Sequence, residues 1–204
     1  MIAQQKTTRR QLQKEDTRRV ILNAAYVLFA EKGYTESTMR TLASRAGVGL
    51  GTIFKHFPDK PSLLVAAYQE DLGKITLEAF KAIPESGIKE QLLHITRKIY
   101  DFYANDPMFS RTLIKEALFL KGEHGEILDN QLMAFLKEIS ELFKKAVKNG
   151  ELPKETNAQE GALAFGAFYF VGLIMGLKQS TFNTEEQLKF VEAMIDNHFF
   201  RKNK

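Results

Sequence analysis

Residues 38–60 read Thr38-Met39-Arg40-Thr41-Leu42-Ala43-Ser44-Arg45-Ala46-Gly47-Val48-Gly49-Leu50-Gly51-Thr52-Ile53-Phe54-Lys55-His56-Phe57-Pro58-Asp59-Lys60. Thr38 stands where an N-cap belongs, ahead of Met39, Leu42, Ala43 and Ala46 at helical spacing, and Gly47 closes a helix of only about two turns. Leu50 to His56 then forms a second short helix, with Ile53, Phe54 and Phe57 as its inner face and Pro58 as its end. Ala43, Gly47 and Ile53 fall at the spacing Ala-x3-Gly-x5-Ile, which suits two short helices crossing nearly at right angles. Ala43 is small enough for the second helix to pass over it, Gly47 supplies the positive φ of the tight turn, and Ile53 fills the wedge between them. Each residue alone is common; together they read as a helix-turn-helix. The alternative is an ordinary helical hairpin with a glycine cap.

Working outward, Ile21, Ala24, Ala25, Leu28 and Phe29 recur at helical spacing before Gly33, so a first helix is expected from about Thr17 to Lys32. Asp59 can cap a fourth helix that tolerates Pro61 in its first turn and carries the stripe Leu64, Ala67, Tyr68, Leu72, Ile75 and Phe80 to about Ile83. Further on, Asp106-Pro107 opens a helix, Gly150 closes a long one, and Thr156-x-x-Gln159 and Thr184-x-x-Gln187 read as capping boxes. The pattern predicts an all-α chain of about nine helices with no strand. It divides into a basic arm and three-helix DNA-binding domain over residues 1–60 and a larger helical-bundle domain over residues 61–204.

The 204 residues include no cysteine, which excludes disulfides, thiolate nucleophiles and thiolate metal sites and suits a reducing cytosol. The polar, basic stretch MIAQQKTTRRQLQKEDTRR lacks the apolar centre of a signal peptide. Residues 161–177 carry no charge, but the run is short for a bilayer and holds four glycines, so it reads as a buried helix and no membrane partner is expected. The net charge of +4 is unevenly spread: residues 1–60 hold 11 Lys or Arg against 5 Asp or Glu, and the remainder 18 against 20. That asymmetry suits a nucleic-acid-binding head on a neutral body.

Taken with its order, the stretch from Thr38 to Val48 followed by Gly51 to Lys60 resembles the TetR family of transcriptional regulators. The resemblance covers roughly residues 17–65; the body is similar to the family only in length, helix count and a final apolar helix pair. It implies a homodimeric repressor on double-stranded operator DNA, released by a small-molecule effector, cytoplasmic, with no cofactor and no enzymatic activity. It further implies that the third helix lies in the major groove with Gly49, Leu50, Gly51, Thr52 and Lys55 facing it, bases being read mainly by Thr52 and Lys55. His56 and Lys60 take the places of phosphate contacts, Thr38 caps its helix while presenting a backbone amide to phosphate, and Arg40 reaches the groove edge or backbone. Gly49 departs from the serine or alanine common there, which thins direct readout. Lys6, Arg9, Arg10 and Lys14 form a basic segment with two readings: an arm in the adjacent minor groove or on phosphates, or a solubilising tail.

In the body, His94, His124 and His198 are scattered without the paired spacing of a helical metal site, and no catalytic or metal-binding constellation is found. Aromatic residues stand out instead. Tyr68, Tyr100, Tyr103, Phe109, Phe119, Phe135, Phe168 and Tyr169 are candidate linings of an effector pocket, implying an apolar or aromatic ligand. The last two helices, about Thr156 to Gln179 and Thr184 to Phe200, are the expected dimer interface. Gly166, Gly172 and Gly176 are read as allowing close approach there, and Leu188, Val191, Ile195 and Phe199 as its stripe; a two-fold dimer predicts a pseudo-palindromic operator. The rivals are a constitutive, nucleoid-type DNA-binding dimer without effector, and a helical-bundle enzyme or carrier with an incidental helix-turn-helix.

Overall fold

The computed structural model describes residues 9–200, and among them every regular element is helical: α1 (Arg9–Glu36), α2 (Met39–Ala46), α3 (Leu50–His56), α4 (Lys60–Lys81), α5 (Ile88–Asn105), α6 (Pro107–Ala117), α7 (Gly122–Lys148), α8 (Ala158–Lys178) and α9 (Thr184–Ile195). A π-helical turn, Asp196–Phe200, prolongs α9. Two compact units emerge. One runs through Glu70 and includes Glu116–Leu120; the other comprises Asp71–Lys115 and the chain from Lys121 onward.

In the first unit, Ile21, Ala25, Leu28 and Phe29 of α1 are buried together with Leu42 and Ala43 of α2, Ile53 of α3, and Leu63 and Leu64 of α4. α1 is already helical at Arg9, two turns ahead of the position the apolar pattern marks, because the exposed and mainly polar residues Arg9 to Asp16 sustain helix without needing a buried face. Of the basic segment, Arg9, Arg10 and Lys14 are therefore helical, whereas Lys6 lies outside the described residues. Gly33 interrupts α1 with φ 76° and ψ 165°, at the position expected for a cap, and a further turn follows to Glu36.

The caps show how polar side chains set the boundaries. Thr38 Oγ1 accepts from the Thr41 amide (3.1 Å) while Thr41 Oγ1 accepts from the Thr38 amide (3.0 Å), closing a reciprocal capping box. Asp59 caps α4 through the Ser62 amide (2.7 Å), and Asp106 caps α6 through that of Phe109 (2.9 Å). The two later boxes are displaced by one residue from their sequence reading. Asn157, not Thr156, caps α8 by accepting from Gln159 and Glu160, and Asn183, not Thr184, caps α9 by accepting from Glu186. Asparagine outranks threonine at this position, and the shift leaves Gln187 free to be buried.

The second unit is built on one core in which α5, α7, α8 and α9 contribute Leu92, Ile95, Ile99, Tyr100, Ile139, Phe143, Phe165, Leu173, Val191 and Ile195. Its helices are tied by Lys89 to Glu192 (3.3 Å) and Asp196 (3.2 Å) and by Arg97 to Glu185. Arg111 donates to the carbonyls of Leu177 (2.7 Å) and Gln179 (2.9 Å), satisfying acceptors left open at the end of α8.

The glycines of α8 serve this core rather than a partner. A Cβ on Gly172 would stand 2.5 Å from the Tyr100 hydroxyl, and one on Gly176 would stand 2.5 Å from the Phe182 ring. One on Gly166 would meet only the tip of Leu136, at 3.0 Å. Leu188, Val191 and Ile195, expected at the dimer face, are likewise buried within the chain, and Phe199 packs on Phe143 with ring centres 4.9 Å apart. The sequence stripe was correct as a buried face but assigned to the wrong neighbour, since periodicity says nothing about which chain covers it. The large apolar residues that α8 leaves exposed are Leu163, Phe170, Val171 and Met175. By length and composition α8 is also apolar enough to cross a membrane, with a mean hydropathy of 1.6.

Two substitutions separate packing from helix propensity. Gly172→Ala drives a methyl into the buried Tyr100 hydroxyl and is expected to lower stability by about 1–3 kcal/mol. Gly73→Ala, in α4 with open space around it, is expected to raise stability by about 0.5–1 kcal/mol. Thermal unfolding of the two variants checks both signs.

Candidate nucleic-acid interface

The turn between α2 and α3 forms as its sequence dictates. Gly47 adopts φ 65° and ψ 28°, its amide donates to the Ser44 carbonyl (3.2 Å), and the Val48 amide reaches back to Ala43 (3.1 Å). These two bonds consume the carbonyls that α2 leaves open and need the left-handed conformation that glycine reaches without strain. Ile53 and Phe57 are then fully buried, which fixes the roll of α3 about its axis. Gly51 and Lys55 face outward, Thr52 and His56 are half-buried on one flank, and Phe54 is 48% exposed on the other. Phe54 thus leaves the inner face to which its apolar character assigned it. On a seven-residue helix already anchored by Ile53 and Phe57, a third large side chain does not fit the same narrow seam.

Of the other proposed contacts, Arg40 is exposed and Gly49 is the extended N-cap of α3, with Leu50 half-buried after it. Thr38 caps α2, but its own amide is occupied by Thr41 Oγ1 and is not available to a phosphate. Lys60 departs further from expectation. Its ammonium donates to the carbonyls of Tyr34 (2.9 Å) and Ser37 (2.9 Å) and lies 4.1 Å from the centre of the Tyr34 ring. An ammonium has three protons, and these partners use them. Burial pushes the Lys60 pKa down, against the opposing pull of Glu116 and Glu36. Burial likewise raises the Tyr34 phenol, helped by the charges of Glu116 and Asp59 and by a hydrogen bond to Glu116.

The composition gave no hint of Glu116, which comes from the end of α6 yet belongs to this unit. Arg45 was also missed. It pairs through both nitrogens with Glu31 (2.6 and 2.8 Å), joining α2 to α1 and drawing the Glu31 carboxyl below its ordinary pKa. Arg45 is therefore engaged structurally, whereas Arg40, Lys55, Arg10 and Lys14 stand exposed on the head.

Arg10, Gln11 and Lys14 of α1 face Lys55 and His56 of α3 across a cleft of about 520 Å³. The His56 pKa is lowered by burial and then by the positive charges of Lys14 and Arg18. Arg18 itself sits over the Phe57 ring, 5.4 Å from its centre.

The aromatic candidates in the second unit separate into groups. Tyr100 and Tyr169 pack at 5.3 Å, Phe135 and Tyr169 at 6.0 Å, and the Tyr100 hydroxyl donates to the Tyr169 carbonyl at 2.5 Å. Phe182, absent from the sequence reading, joins this group at 5.4 Å from Tyr100. Tyr103 is buried beside Phe102, and burial raises the phenol pKa of Tyr100, Tyr103 and Tyr169 alike. Phe168 packs instead on His198 (5.5 Å) and Phe199, and Phe109 is half-buried. Tyr68 stacks on Tyr26 in the first unit at 4.8 Å, and Phe119 is 82% exposed. Those two do not join the aromatic cluster. Tyr68 sits where α4 packs in the head unit, and Phe119 lies past the end of α6 where no helix covers it.

Residues 21–67, which contain this whole turn, match the family model described as bacterial regulatory proteins, tetR family. The HTH-type transcriptional repressor Rv1474c of Mycobacterium tuberculosis is 35% identical over 129 residues, covering 57% of this chain and 67% of its own. The HTH-type transcriptional regulator SrpR of Pseudomonas putida is 29% identical over 178 residues, 85% of this chain and 78% of its own. Among solved structures, Thermus thermophilus FadR, a TetR-family repressor in complex with lauroyl-CoA, superposes with a TM-score of 0.72 at 20% identity, over 91% of this chain and 97% of that one. The chain belongs to the TetR family of bacterial transcriptional regulators.

Proposed function

We propose that the protein is a ligand-responsive repressor that binds a pseudo-palindromic operator as a homodimer and releases it when a small apolar or aromatic molecule enters its C-terminal domain. The observation that carries the DNA half is the α2–α3 pair: Gly47 and Ile53 hold α3 so that Gly51, Thr52 and Lys55 point away from the core. On this reading α3 enters the major groove. Thr52 and Lys55 read base edges, Gly49, Leu50 and Gly51 allow close approach, and Arg40 and His56 meet the backbone. Phe54 adds an apolar flank suited to thymine methyl groups. Lys60 is assigned a bracing role in place of a phosphate contact, because its donors are taken. Such a protein works in the cytosol, where its DNA is.

For the dimer, the exposed stripe of Leu163, Phe170, Val171 and Met175 on α8 supports pairing through the last two helices. For the effector, the cluster of Tyr100, Tyr103, Phe135 and Tyr169 offers apolar walls with phenol donors among them. The lauroyl-CoA bound by the Thermus protein is consistent with an apolar ligand class. The domains are taken as residues 1–60 for DNA and 61–204 for ligand and dimerisation. α4 and α6 each contribute residues to both compact units and are the natural carriers of a two-state change.

Fluorescence anisotropy with the DNA upstream of the gene, against scrambled DNA of equal length at two salt concentrations, tests the operator. Salt-resistant binding to the upstream DNA alone is expected, and equal, salt-sensitive binding to both would reject specific repression. In the same assay Lys55→Ala is expected to cost about 1–3 kcal/mol on the operator. Lys60→Met is expected to lower thermal stability by about 1–3 kcal/mol, by removing the lysine donor from the Tyr34 and Ser37 carbonyls, while leaving the salt slope of the remaining folded protein unchanged. Leu163→Glu with Met175→Glu is expected to convert the dimer to a monomer in sedimentation velocity.

A further inference from the structure

The first two turns of α1 place basic residues where the core has no use for them. Arg10, Lys14 and Arg18 recur every four residues and so share one face of the helix. Arg18 is spent on the Phe57 ring, but Arg10 and Lys14 are exposed and line the cleft with Gln11, Lys55 and His56. Among the described residues, no carboxylate lines that cleft. The acidic residues nearest in sequence, Glu15 and Asp16, are not part of its wall, and Asp16 is paired with Arg19 (2.9 Å). Three cations, Arg10, Lys14 and Lys55, facing one hollow repel one another, and an anion in the hollow relieves that repulsion.

We propose that this cleft between α1 and α3 holds backbone phosphates at the edge of the groove that α3 enters, so that the start of α1 is a helical phosphate clamp and not an arm threaded into the minor groove. The assignment rests on the DNA-binding reading above. It gives Arg10 and Lys14 a sequence-independent task, which compensates for the sparse hydrogen bonding of Gly49, Leu50 and Gly51. A phosphate in the cleft also offsets Lys14 and Arg18, the charges that disfavour the imidazolium of His56; Arg10 and Lys55 are the other charges facing it. The His56 pKa is then higher in the complex than in free protein, a proton is taken up on binding, and affinity rises as the pH falls through that range.

The test uses the full chain carrying Arg10→Ala and Lys14→Ala, with Arg10→Lys and Lys14→Arg as the charge-preserving control. Circular dichroism and the melting temperature establish that both fold. Binding to the upstream and scrambled duplexes is followed over a salt series. Loss of two contacts in each protomer is expected to flatten the slope of log affinity against log salt by about 3.6 for the dimer, so that on the order of a hundredfold less affinity is lost between 50 and 200 mM salt. The loss should be equal on both duplexes, the control should restore it, and the gain in affinity on lowering the pH should shrink in the alanine variant. An unchanged slope overturns the clamp while wild-type preference for the upstream duplex keeps the repressor reading intact; wild-type protein that binds neither duplex overturns both. Inorganic phosphate alone, shifting the His56 ring resonances as much as an equal phosphate concentration of duplex, would make the cleft a free-anion site and overturn the clamp.

Discussion

The head depends on one ammonium group. Its two shortest helices, α2 and α3, have 8 and 7 residues, well below the length at which an isolated helix is stable in water. Their persistence comes from tertiary anchors, and Lys60 anchors three segments at once. From the first turn of α4 it gathers the carbonyls of Tyr34 and Ser37, where the chain leaves α1 for α2, and it covers the Tyr34 ring. Ser37 is itself buried, with its hydroxyl donating to the Gly33 carbonyl at 2.8 Å. The break at Gly33 is thereby converted from a loose end into a fixed corner. Removing the ammonium takes a donor from two part-buried carbonyls, of which that of Tyr34 keeps only the Ser37 amide (3.2 Å), a larger loss than that of an average surface contact.

The same corner of the head takes in Glu116. Tyr34 is held by Lys60 on one side and by Glu116 on the other, and Glu116 belongs to the head unit although most of α6 does not. A regulator must let ligand binding in one domain bias the spacing of two recognition helices, and a head that flexed internally would absorb the displacement. The bidentate Glu31–Arg45 pair and the Lys60–Tyr34–Glu116 chain answer that requirement with polar ties, which are directional, in a unit too small to be rigid by core packing alone.

What the sequence made legible follows from what local rules can express. Gly47 and Ile53 were readable because positive φ and a buried wedge are properties of single positions at fixed spacing. Asp59 and Asp106 were readable as caps because aspartate there has few other uses. Phe54 was misread since apolar character was taken as a sufficient reason for burial, yet the seam of a seven-residue helix has room for Ile53 and Phe57 only. Lys60 was misread because a lysine at a helix start near DNA has two plausible acceptors, and only the fold shows that carbonyls from Tyr34 and Ser37 arrive first. Thr156 and Thr184 were chosen as caps by pattern, and the neighbouring asparagines won by their stronger side-chain acceptor. The aromatic set was read by composition, which cannot separate Tyr100 in a cluster from Phe119 in solvent.

α8 poses the sharper problem, because its apolar residues run all round the helix and periodicity has nothing to report. Its glycines carry the missing information. Gly161, Gly172 and Gly176 lie where an added carbon would collide with Phe143, Tyr100 and Phe182, so they mark the face pressed against the chain's own core. The opposite face, with Leu163, Phe170, Val171 and Met175, carries full-sized side chains and remains uncovered. Exposed apolar side chains of this size are costly for a monomer in water, which is why this face supports the proposed pairing of two copies. In an apolar helix of this composition, the small residues record which contacts the chain makes with itself, and the large exposed ones mark the face those contacts leave open.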